Sequence, residues 1–152
     1  MSMSAQTRHE RRADSQKQLQ TLVSSRTDTL SLYSRLAANK PFKSNKSTQK
    51  LLQDFCASLI DYTAGAHFQL YRFIDERKER RKRVNDVAER IYPNIVDSTQ
   101  QILDFNDKYD CQDHCDNFDR LETDLSTLGV ILADRIEMED QLIEALAVPR
   151  SD

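Results

Sequence analysis

The sequence predicts an all-α protein, an antiparallel four-helix bundle with long helices. The chain of 152 residues has only 2 glycines, 3 prolines and no tryptophan, while 31% of its residues are charged, so turn-forming residues are scarce. Apolar residues recur at the three- and four-residue spacing of a helix in four long segments, joined by connections of roughly five to ten residues. We therefore expect one domain, residues 1–152, with a single core.

The first helix is predicted over about residues 16–38. Residues 1–13 are polar and basic, follow no apolar period, and can fray. The loop 39–45 ends the helix, because Pro41 disfavours the α conformation at Lys40. The apolar residues that give this segment its helical period are Leu19, Leu22, Val23, Leu30, Tyr33 and Leu36.

The second helix is predicted over about residues 48–79 and is the most informative part of the chain. One stripe of it is apolar and is expected to face the core: Leu52, Phe55, Leu59, Tyr62, Ala66, Leu70 and Phe73. The opposite side combines carboxylates, small residues and a phenylalanine: Asp54, Ala57, Asp61, Ala64, Gly65, Phe68 and Arg72. This mixture is unusual for a solvated helix surface, so we expect another helix or a partner protein to cover it.

Helices three and four are predicted over about residues 84–107 and 117–146. Pro93 lies inside the third helix, where proline costs on the order of 3 kcal/mol, so we expect a kink or a restart there. Arg135 and Glu139 interrupt the apolar stripe of the fourth helix, and we interpret them as a hydrogen-bonded pair that sets the register of the bundle. The predicted core residues are Val87, Ile91, Ile95, Ile102, Phe105, Phe118, Leu121, Leu125, Leu128, Leu132, Leu142 and Ile143.

The charge of the chain is graded along its length. Residues 1–50, 51–100 and 101–152 carry formal charges of +7, 0 and −10, although the total is only −3. An acidic third repels nucleic-acid phosphates and attracts a basic protein, which argues against direct binding to DNA or RNA. Neither a membrane span nor an export signal is indicated, and three cysteines do not suggest a disulfide framework, so we expect a cytoplasmic protein.

Two kinds of chemistry are weighed and disfavoured. Cys111, His114 and Cys115 could bind zinc, but a structural zinc site needs four ligands and no second pair lies nearby, so an acidic loop is the better interpretation. His67 could carry a phosphoryl group, as in histidine phosphotransfer bundles, but a partly buried structural residue is favoured. No catalytic dyad, phosphate-binding loop or cofactor motif is found, and we expect no enzyme activity and no cofactor.

Several short motifs, in order along residues 51–146, resemble the Rsd/AlgQ family of bacterial anti-sigma regulators. The most specific part is the string that joins Asp54-Phe55-Cys56, Asp61-Tyr62, His67-Phe68 and Tyr71. The remaining motifs are Pro93, Thr99-Gln100-Gln101-Ile102, Asp104, Asp116-Asn117, Arg135, Glu139-Asp140 and Leu142-Ile143.

The resemblance implies a cytoplasmic bundle that binds region 4 of the primary sigma factor and keeps it from core RNA polymerase and from the −35 promoter element. The implied mechanism is that the protein occupies the surface of region 4 and performs no chemistry on it. The sugar phosphotransfer carrier protein is a second partner of some family members, and no residue decides whether this applies here. The residues that we expect to bind the partner are Asp54, Asp61, Gly65, Phe68 and Arg72, with His67, Tyr71, Arg135 and Glu139 in supporting roles.

The chain departs from the family pattern at two places. Residues 20–23 read Gln-Thr-Leu-Val, where family members commonly have Asp-Arg-Trp-Leu. Residues 64–67 read Ala-Gly-Ala-His in place of Ser-Ala-Gly-His, which moves the glycine by one position. The part that the resemblance gives helix one in the interface therefore carries over to this chain less directly than the part it gives helix two.

Overall fold

The computed structural model is an all-α bundle, as predicted from the spacing of apolar residues. It describes residues 5–43, 45–71, 82–109 and 118–147; for 5–16, Gln69 and Tyr71 it describes the backbone alone. The elements, in order, are α1 (Ala5–Ala37), α2 (Lys46–Ala66), a π-helical turn (His67–Tyr71), α3 (Lys82–Tyr109) and α4 (Leu121–Ala147).

The four helices form two hairpins, α1 with α2 and α3 with α4, which pack on each other. Helices α1 and α4 run in opposite directions, because Arg26 in α1 pairs with Asp140 late in α4 and Lys40 just after α1 pairs with Glu122 early in α4. No helix among the described residues is long and apolar enough to cross a membrane.

Helix α2 buries the apolar stripe that the sequence predicts. The side chain of Asn45 caps its start by accepting a hydrogen bond of 2.9 Å from the backbone N–H of Thr48. Phe73 and the rest of the predicted helix up to residue 79 lie outside the described residues. The stripe residues that the structure buries are Leu52, Phe55, Leu59, Tyr62, Ala66 and Leu70.

Helix α1 departs from the prediction in its extent and in its buried face. Its backbone is helical from Ala5, well before the predicted start. Val23 and Leu30, which belong to the predicted apolar period of this helix, are 37% and 36% exposed, whereas Thr29 is buried. The reason is that α1 meets α2 through hydroxyl groups: Thr29 Oγ1 lies 2.8 Å from Ser58 Oγ.

Helix α3 is continuous through Pro93, so the helix does not restart there. Proline cannot donate the backbone hydrogen bond to the carbonyl oxygen of Glu89, four residues earlier. Both residues lie on the exposed side of α3, where water can satisfy that carbonyl oxygen. The exposed position explains how the helix tolerates the proline.

Arg135 and Glu139 form the predicted pair, and both are buried, with relative exposures of 1% and 0%. Arg135 Nε donates to Glu139 Oε2 at 3.3 Å. The guanidinium also donates from Nη1 to Ser98 Oγ at 3.0 Å and to Thr99 Oγ1 at 2.8 Å, on α3. The Tyr62 hydroxyl of α2 donates to Glu139 Oε1 at 2.6 Å. This buried cluster therefore links α2, α3 and α4.

Arg26 of α1 completes the cluster at its solvent edge. Its Nη1 lies 3.5 Å from Glu139 Oε1 and 2.8 Å from Asp140 Oδ1. Burial, followed by the adjacent Glu139 carboxylate, raises the pKa of Tyr62 far above its ordinary value. The hydroxyl of Tyr62 consequently stays protonated and keeps donating to Glu139.

Replacing Arg135 with methionine should lower the free energy of unfolding by about 3 to 5 kcal/mol, because the Glu139 carboxylate then loses its main buried counter-charge. The Arg135→Met/Glu139→Leu double variant should lose less free energy of unfolding than the single variant, because neither charge of the pair remains in the core. Urea unfolding followed by circular dichroism measures both. A single variant as stable as the parent would contradict the assigned role of the pair.

Candidate functional site on the second helix

The side of α2 opposite the core stripe is open to solvent in the structure. Asp54 and Asp61 are exposed, Gly65 is half-buried, and Phe68 is 59% exposed. We call these four residues the acidic–aromatic face. Arg72, the fifth residue that we expected to bind the partner, lies outside the described residues.

Gly65 marks a part of this face that the described chain leaves open. A Cβ atom added at Gly65 would meet no atom within 4 Å. No helix among the described residues therefore covers the α2 surface at Gly65.

Phe68 and His67 lie in the π-helical turn that continues α2. Their rings meet edge to face, with centroids 5.4 Å apart and an interplanar angle of 75°. His67 is exposed, so the prediction that it is partly buried was wrong. His67 is the first residue of the π-helical turn, where the regular helical period of α2 ends. Tyr71 ends this turn.

The two carboxylates of the face differ in their surroundings. Asp54 has an exposed ion pair with Lys50, at 3.6 Å, one helical turn earlier. Asp61 has no hydrogen-bond or ion-pair partner among the residues that the structure describes. An ion pair as exposed as that of Asp54 contributes little to stability, so both carboxylates can turn to an incoming cation.

Asp61 also lines a polar cleft between α1 and α2, which the sequence reasoning did not find. The α1 side of the cleft includes Lys17, Gln20, Ser24 and Asp28. A signal was present in the sequence, because serine and threonine in the middle of helix one weaken its helix propensity.

Arg135 and Glu139, expected to support partner binding, lie in the core and cannot touch a partner in this conformation. They act on the face indirectly, because Glu139 accepts the hydrogen bond of Tyr62, the residue next to Asp61. The pair therefore positions α2.

No group of three or more His, Cys, Asp or Glu side chains within the described ranges could hold a metal ion. The weighed zinc ligands Cys111, His114 and Cys115 lie outside those ranges. The zinc hypothesis is therefore not tested by the geometry.

The fold and the face together define a class: four-helix bundles with an uncovered acidic and aromatic helix surface. The family model described as "Regulator of RNA polymerase sigma(70) subunit, Rsd/AlgQ" matches residues 1–147. The chain therefore belongs to the Rsd/AlgQ family, as the motifs around Asp54 and His67 predicted.

Individual relatives agree with the family match. A protein named "Regulator of sigma D" from Shigella dysenteriae serotype 1 (strain Sd197) is 35% identical over 122 residues, which cover 78% of this chain and 76% of the relative. Relatives of the same name from Escherichia coli O139:H28 and Escherichia coli K12 / DH10B have the same identity and coverage. No solved structure matches the chain. Neither the family nor these relatives support phosphotransfer through His67.

Phe68→Ser should leave the free energy of unfolding within about 0.5 kcal/mol of the parent, because the ring is exposed. Phe55→Ser, a matched change on the buried stripe of the same helix, should cost about 3 to 5 kcal/mol. Chemical denaturation of the two variants side by side measures the difference. A large loss for Phe68→Ser would mean that the ring serves the fold and not a surface.

Proposed function

We propose that this protein binds the primary sigma factor through the sigma factor's region 4, using the acidic–aromatic face of α2. Bound region 4 is then unable to engage core RNA polymerase or the −35 element. The protein acts by occupancy, performs no chemical reaction, and meets its partner in the cytoplasm.

The observation that carries this proposal is the exposure of Phe68 beside open surface at Gly65 and the carboxylate of Asp61. A large exposed aromatic ring is a typical anchor of a protein interface. The adjoining open surface lets a partner helix approach α2 closely. Carboxylates around such an anchor favour a basic partner over an acidic one.

The chemistry of region 4 is complementary to this face. Region 4 is a helix-turn-helix domain, and such domains meet the phosphates of DNA with basic residues. An acidic helical surface that binds the same basic residues competes with DNA for them. Competition of this kind requires affinity alone.

Asp61→Lys should weaken binding to isolated region 4 by about 1 to 3 kcal/mol, because it places a like charge against a basic partner. Isothermal titration calorimetry measures the change, and circular dichroism checks that the fold is kept.

Asp134→Lys is the matched control for this variant. Asp134 is an exposed carboxylate on α4, so the substitution changes the net charge by the same amount at a distance from the face. The control should bind as the parent does. Equal loss in both variants would mean that overall charge, and not the face, drives binding.

Affinity for region 4 should fall steadily when ionic strength is raised from about 0.05 M to about 0.5 M, because salt screens exposed charge pairs. The same titration, repeated across this range, gives the slope. An affinity that does not change with salt would argue against an electrostatic interface.

The sugar phosphotransfer carrier protein is a second partner that the family resemblance brings to this chain. A pull-down from bacterial lysate tests both partners at once. Sigma factor recovered without core polymerase would support the leading proposal, and recovery of the carrier would add the second partner. Recovery of neither would contradict both.

A further inference from the structure

The polar cleft between α1 and α2 continues the acidic–aromatic face onto the first helix. Asp61 belongs to both, because it lies on the exposed side of α2 and lines the cleft. Ser58, one turn earlier, lines the same cleft from α2. Asp28 and Ser24 line it from α1. A partner that covers Asp61 therefore also reaches these residues of α1.

The small hydroxyl side chains of the two helices account for the cleft. Thr29 Oγ1 donates to the carbonyl oxygen of Ser58 at 3.2 Å and lies 2.8 Å from Ser58 Oγ, so the helix backbones approach closely at this point. Next to this contact, Ser24 of α1 and Ser58 of α2 both line the cleft. The described residues that line this opening are all polar or charged.

The two carboxylates of the cleft are available to a ligand. Within the described ranges, neither Asp28 nor Asp61 has a hydrogen bond or an ion pair. Other carboxylates of the protein are engaged: Asp124 accepts hydrogen bonds from Lys108 and Tyr109, and Asp140 pairs with Arg26.

Charge and donor chemistry select the group that would fill the cleft. Lys17 is the one cation among the described lining residues, so the two carboxylates leave the cleft with a net negative charge. Carboxylate and hydroxyl oxygens both accept hydrogen bonds. The guanidinium of arginine offers five N–H donors in a fixed plane, which suits acceptors supplied from two sides.

We propose that this cleft receives an arginine side chain of the sigma factor, with Asp28 and Asp61 as its two carboxylate acceptors. The proposal rests on the proposed function and deepens it, because it adds α1 to the interface through a residue outside the family motifs. Asp28 thereby becomes a specificity-determining residue.

A double-mutant cycle tests the proposal with Asp28→Asn, Asp61→Asn and the double variant, titrated against region 4. Each asparagine keeps the size of the side chain and removes its charge. Each single variant should weaken binding about ten-fold. The fold-loss of affinity in the double variant should be smaller than the product of the two single fold-losses, because both carboxylates hold the same guanidinium.

Asp134→Asn is the matched control and should bind within about two-fold of the parent, as expected for a charge outside the interface. Ser24→Lys is a second, independent variant that places a competing cation in the cleft, and it should weaken binding as Asp28→Asn does. Thermal unfolding of all variants checks that the bundle is intact.

The outcomes separate the two proposals. If the parent does not bind region 4, the proposed function fails and this inference fails with it. A second outcome is that the parent binds and Asp61→Asn weakens binding, but Asp28→Asn and Ser24→Lys bind as the parent does. This outcome would support binding through the acidic–aromatic face and would overturn the cleft proposal. Strictly additive losses in the double variant would overturn the shared arginine.

Discussion

The buried pair of Arg135 and Glu139 is the constraint on which the arrangement of the bundle depends. Apolar stripes can slide along each other at modest cost, whereas a buried charge must meet its counter-charge and its hydrogen-bond partners. Here those partners come from every other helix: Arg26 from α1, Tyr62 from α2, and Thr99 from α3. Displacing α2, α3 or α4 along its axis would leave a buried charge or hydroxyl unsatisfied. The cluster thus selects one register among several that the apolar core would allow.

This constraint also determines where the candidate site points. A hydrogen bond of 2.6 Å from its hydroxyl to Glu139 holds Tyr62 in the core, and Asp61 precedes Tyr62 in the chain. With Tyr62 held in the core, the helical geometry of α2 directs Asp61 outward and toward α1. Thr29 and Ser58 then hold α1 against the same part of α2. The face and the cleft are therefore neighbouring parts of one corner of the bundle, held by the same hydrogen bonds.

Sequence reasoning predicted those features that depend on helical period alone. The buried stripe of α2, its exposed acidic and aromatic side, and the pairing of Arg135 with Glu139 all follow from three- and four-residue spacing within one helix. It failed where the outcome depends on how two helices meet. Val23 and Leu30 have the right period for a core, yet they are exposed because α1 turns Thr29 toward Ser58. The cleft was missed for the same reason, since its lining comes from two helices.

Two residues of α1 that the proposed interface uses, Ser24 and Asp28, are poor helix formers. Serine and threonine are poorer helix formers than alanine by about 0.5 kcal/mol each, and the two carboxylates that line the cleft carry like charges. Neither feature stabilises the folded monomer. A basic group bound between Asp28 and Asp61 would remove the repulsion and satisfy the exposed oxygen atoms. If the cleft binds an arginine as proposed, affinity therefore depends on a correctly placed cation.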